Sequence, residues 1–159
     1  MYMKIEDIIN EVLMGEARKN ALDFVEYLQT NGAQFSDSDN FFWNPTFNEK
    51  ALFTINIAIY NDGAASFDTF INILPSAWEN ESAAALEDER TKEILWANVR
   101  PCVITDCKNC SPGYEKIILG KEFNNLCGCF LGIYGPDAET FTCMKKIFDG
   151  IKSDIIENA

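Results

Sequence analysis

The chain has 159 residues, 47% of them hydrophobic, and sets 25 acids against 13 bases for a formal charge of −12 with no histidine. That length suits a single domain over 1–159, and the apolar share supports a real core. The charge argues against nucleic acid and anionic membrane surfaces, both of which need clustered Lys and Arg. The missing histidine removes Ser-His-Asp triads, Cys-His pairs and His-containing metal sites.

Residues 4–30 read as helix. Ile5, Ile8, Ile9, Val12 and Leu13 fall at helical spacing, and Leu22, Val25 and Leu28 resume it after Gly15, where a break is expected. Asn31-Gly32 is the stop. Ser36 to Asn40 is a loop that lacks the glycine and twelfth-position glutamate of a calcium site. Phe41-Phe42-Trp43 predicts a short strand ended by Asn44-Pro45.

The clearest signal lies over residues 51–74. Phe53, Ile55, Ile57 and Ile59 alternate with polar or small residues, Asn61-Asp62-Gly63 supplies turn chemistry, and Phe67, Thr69, Ile71 and Ile73 alternate again. This predicts an antiparallel hairpin with one greasy face. Its other face, with Thr54, Asn56, Tyr60, Phe70 and Asn72, is either wet or the wall of a pocket. Ser76 and Glu79 have capping-box spacing, so a helix is predicted from there or from Asn80 towards Asn98, with Leu86, Ile94 and Ala97 on one face. Its acids fit a solvated face. Strands are predicted at 114–119, 123–126 and 130–134. A last helix follows Gly135-Pro136-Asp137, with Phe141, Met144, Ile147, Phe148, Ile151 and Ile155 as its buried stripe.

Five of the six cysteines lie between Cys102 and Cys129. Cys107-Lys-Asn-Cys110 has the spacing at which a tight turn points two sulfurs at one ion. If 114–126 is a hairpin, Cys127 and Cys129 return beside it. Cys102, Cys107, Cys110, Cys127 and Cys129 are therefore the candidate metal ligands, with zinc the candidate cofactor because sulfur is a soft donor. Two other uses stay open: thiol redox chemistry at Cys107 and Cys110 beside Lys108, and plain burial of small apolar thiols. Cys143 belongs to the core stripe. The N-terminus lacks the basic start of a signal peptide, and no apolar run reaches the roughly 18 residues of a membrane span. The expected setting is the cytosol, with reduced thiols.

Trp96-Ala-Asn-Val99, Cys102, Cys107, Cys110, Pro112-Gly113, Ile118-Leu-Gly-Lys-Glu-Phe123 and Cys127 resemble a family of small uncharacterised bacterial proteins, over about a third of the chain. The resemblance implies no activity.

The expected fold is α+β: one antiparallel sheet of four to six strands, with N-terminal, middle and C-terminal helices packed on it. The expected function is a non-enzymatic domain, binding a small molecule or a protein partner or acting in regulation. Trp43, Asn56, Tyr60, Asn72 and Trp78 are its candidate pocket walls. The alternatives are a thiol redox protein using Cys107 and Cys110, and a zinc-stabilised interaction module.

Overall fold

The computed structural model describes residues 1–102 and 113–159. The helical spacing at the N-terminus becomes two helices, α1 (Ile5–Val12) and α2 (Gly15–Thr30). They part at the extended pair Leu13-Met14, and Gly15 sits at φ +56°, a left-handed turn that glycine makes without strain. Arg18 Nε donates to the Leu13 carbonyl at 2.6 Å, satisfying the backbone at the break. α2 stops at Asn31-Gly32, where the Asn31 side chain donates to the Tyr27 carbonyl and Gly32 has φ +98°.

The strands are β1 (Phe42–Trp43), β2 (Thr46–Phe47), β3 (Lys50–Ala51), β4 (Thr54–Ile59), β5 (Ala65–Ile71), β6 (Val99–Pro101), β7 (Tyr114–Ile118) and β8 (Lys121–Tyr134). β2 and β3 form a small separate pair. The others make a six-stranded antiparallel sheet in the order β1-β4-β5-β8-β6, with β7 also on β8. The predicted hairpin is β4 and β5, joined through Asp62, whose carboxylate accepts the Ala64 amide at 2.9 Å. Ile59 and Ile73, expected on the greasy face, are exposed at the strand ends.

β8 holds the sheet together. The two short strands expected at 123–126 and 130–134 are one strand, kept continuous by irregular register. Leu131 pairs with Ile71 of β5 on one edge and Val99 of β6 on the other, while Leu126 pairs with Tyr114 of β7 and Pro101 of β6. β5 and β7 therefore share one edge of β8. The β7–β8 tip is Leu119-Gly120, both at positive φ, the pattern of a two-residue hairpin turn.

The middle helix starts later than its sequence suggests. Two 3₁₀ turns, Ser76–Trp78 and Glu81–Ala85, precede α3 (Glu89–Ala97). The expected capping box does not form, because both side chains are taken by distant partners. Ser76 Oγ bonds Asp154 at 2.8 Å, and Glu79 pairs with Lys116 at 2.7 Å. Asp88 caps α3 instead, accepting the Thr91 amide at 2.7 Å. Leu86 is 55% exposed and Ala97 is also exposed; Thr91, Lys92 and Leu95 are the buried set.

α4 (Ala138–Glu157) is capped by Asp137 and buries all six residues of the predicted stripe, plus Cys143. Phe24 of α2, Phe67 of β5 and Phe141 of α4 contact one another, with ring centroids 5.2 to 6.1 Å apart. This cluster ties two helices to one face of the sheet, called here the covered face.

Candidate functional site

Side chains alternate along a strand, so the residues between the core positions of β4 and β5 lie on the other face of the sheet. Register then gives their neighbours. Phe42 pairs with Asn56, Asn56 with Asp68, and Asp68 with Tyr134, making one row across four strands. The next row joins Thr54, Phe70 and Gly132. The Phe70 and Tyr134 rings meet edge to face at 5.7 Å. Arg100, from β6, lies over Gly132 and Tyr134. Its guanidinium carbon is 4.9 Å from the Tyr134 ring centre, and Nη1 donates to the phenol oxygen. A Cβ on residue 132 would stand 2.6 Å from Arg100 Cδ, so glycine is what lets the arginine cross. Among the described residues no helix covers this open face, where Phe42 is 44% and Tyr134 49% exposed.

Asp68 sits at the centre of that row and is only 3% exposed. Its Oδ1 accepts from Ser66 Oγ at 2.5 Å and from the Gly135 amide at 3.2 Å. One carboxylate oxygen thus fastens the turn from β8 into α4. Among the described residues Oδ2 receives no hydrogen bond and no cation lies within salt-bridge reach. Among the described residues the sealed side-chain polar atoms without a partner are Trp43 Nε1 and Thr69 Oγ1, and Asp68 Oδ2 is not among them.

The cysteines occupy a different region, at the far end of β8. Cys102 follows β6, and its amide donates to the Asn125 carbonyl at 2.6 Å, while Asn125 Nδ2 donates back to the Cys102 carbonyl at 3.1 Å. Gly113 packs on the same residue, since a Cβ there would lie 2.9 Å from Asn125 Cα. Both flanks of 103–112 therefore meet Asn125, two positions before Cys127. Asn125 has φ +53°, tolerable for asparagine, at a shift in the β7–β8 register. Beyond it, the one β6 residue between the paired Val99 and Pro101, Arg100, faces four on β8, the bulged run Cys127-Gly128-Cys129-Phe130.

Cys107 and Cys110 lie outside the described residues. Cys127 is half-buried and Cys129 exposed, both as free thiols. Among the described residues no group of three or more Cys, Asp or Glu is placed to hold a metal ion. Cys143 is buried against the core, which pushes its thiol up to about 12.

The five residues proposed from sequence as pocket walls do not converge. Trp43 and Trp78 are buried in the core; Asn56 is half-buried on the open face; Tyr60 and Asn72 are exposed, at the β4 end of the hairpin turn and just past β5. None of the five lines either of two clefts elsewhere on the described surface. One of about 390 Å³ runs between Glu79, Glu115, Lys116, Ile117 and Glu122. Another of about 350 Å³ lies beside Tyr27 and Lys145 on the helical side. There the Tyr27 hydroxyl donates to Asp149 at 2.7 Å, and burial followed by that carboxylate raises the phenol to about 12.

Asp68, Ser66, Arg100 and Tyr134 were not singled out by sequence. Strand alternation places Asp68 on the non-core face, but its burial follows from β8, 66 positions away, which alternation does not locate. No family model, curated protein or solved structure matches the chain.

Proposed function

We propose that the protein is a non-enzymatic binding domain that holds a basic protein partner against the open face of its sheet. The observation that carries this reading is the Phe42–Asn56–Asp68–Tyr134 row with Phe70 and Arg100 beside it, on a face bare of helices among the described residues. Exposed aromatics and arginine are what protein interfaces concentrate at their centres. A row of side chains spread across four strands suits a macromolecule better than an enclosed small molecule. The charge of −12 disfavours a second copy of this chain and favours a partner of opposite sign.

The test is an amide NMR titration with a short peptide of alternating arginine and tryptophan. Shifts gathered at residues 42, 56, 66–70 and 132–135 are the expected result. Shifts gathered instead on α2 and α4 would overturn the reading.

A second reading has one observation in its favour. Both flanks of 103–112 meet at Asn125, next to the Cys127-Gly-Cys129 bulge, which suits a turn ordered by zinc or one whose Cys107 and Cys110 thiols cycle. Metal analysis of protein purified without chelator separates these. Stoichiometric zinc supports the metal-ordered turn, and metal-free protein with one fast, low-pKa thiol supports the redox turn. Metal-free protein whose thiols react slowly leaves only packing.

A further inference from the structure

Burying a carboxylate is costly unless its oxygens are bonded or paired. Asp68 meets that cost at one oxygen only. Oδ1 takes a hydroxyl and a backbone amide, whereas Oδ2 receives no hydrogen bond among the described residues. Its neighbours across the sheet are Asn56, a neutral amide, and Tyr134, an aromatic ring that already carries Arg100. Arg100, which lies over Tyr134, is occupied there, and among the described residues it makes no ion pair with Asp68. No other carboxylate belongs to the two central rows of the face.

We infer that Asp68 Oδ2 is the anchor for a guanidinium or ammonium group of the partner, placed between Asn56 and Tyr134. This rests on the open-face reading and adds the chemistry of its centre: a single arginine or lysine side chain entering over the row, with aromatic rings on its stem. Ser66 and Gly135 hold the carboxylate in place from behind, so little ordering remains to be done on binding. A guanidinium suits the site better, because a planar donor can bond Oδ2 while stacking on a ring.

The test uses three small probes on the full chain, followed by amide NMR: N-acetyl-arginine amide, its neutral isostere N-acetyl-citrulline amide, and N-acetyl-tryptophan amide. The arginine probe should move the amides of 56, 66–68 and 134–135 saturably, and the citrulline probe should not. In Asp68→Asn the arginine response should weaken at least about tenfold, the scale of one lost charged contact. Equal responses to arginine and citrulline in the native chain would overturn the anchor without needing any variant, should Asp68→Asn fail to fold. If the tryptophan probe binds the face while arginine shows no dependence on Asp68, the anchor is wrong and the face remains a binding surface. If no probe reaches the face, both ideas fall.

Discussion

Phe67 and Asp68 are neighbours in the chain and belong to different surfaces. Phe67 enters the covered face, where Phe24 and Phe141 close around it. Asp68 enters the open face, where Asn56 and Tyr134 flank it across the sheet and Ser66 and the Gly135 amide bond it. The covered face is packed mostly with apolar side chains, and its buried polar atoms include the unpartnered Thr69 Oγ1 and Trp43 Nε1. The open face keeps groups with unused capacity: a carboxylate oxygen, half-exposed rings and an arginine on a tyrosine. What separates the two faces is accessibility: the polar groups of the covered face are sealed, whereas the rings of Phe42 and Tyr134 on the open face are about half exposed.

That contrast is broken most forcefully from the covered side. Phe24→Ala removes a fully buried ring from the Phe67–Phe141 cluster and should cost about 3–5 kcal/mol in urea unfolding. A loss within about 1 kcal/mol would mean that the two faces do not differ as described. Gly120→Ala is the next largest. It puts a side chain at φ +84° and a Cβ 2.6 Å from Ala84 Cβ, where the hairpin tip docks on the second 3₁₀ turn. The strain and the overlap together should cost about 2 kcal/mol, again in urea.

Alkaline pH sharpens the comparison more gently. Cys143 is held as a neutral thiol in the folded core, at about 12 against an ordinary 9.0. Above pH 9 the unfolded chain loses that proton and the folded one keeps it, so stability falls as pH rises towards 12. Tyr27 adds the same sign of dependence between pH 10 and about 12. Melting temperature followed from pH 8 to 10 should decline in the native chain and flatten in Cys143→Ala. An unchanged slope in the variant would remove Cys143 as the cause.

The covered face was largely legible in sequence. The period of two over Phe53 to Ile71 and the stripe from Phe141 to Ile155 are local patterns, and local patterns survive folding when one side is buried. What was not legible depended on distant partners. Ser76 and Glu79 look like a helix start until Asp154 and Lys116 claim them. Arg100 follows a helix and precedes a proline, and only Gly132 and Tyr134 reveal where it goes. Asp68 reads as one more acid of twenty-five until Tyr134 and Gly135 are placed beside it. The Cys102–Cys129 region shows the same split. Sequence spacing grouped five cysteines, whereas the anchoring residue, Asn125, carried no signal beyond its tolerance of positive φ.

On the proposed function, the open face serves recognition while contributing little to stability. The double substitution Phe42→Thr with Tyr134→Thr keeps strand propensity and removes the two exposed rings from the row. Urea unfolding and binding of the arginine–tryptophan peptide should be measured on the same preparation. The expected result is a stability change of about 1 kcal/mol or less together with loss of peptide binding at the face. A stability loss comparable to that of Phe24→Ala, with peptide binding unchanged, would contradict it.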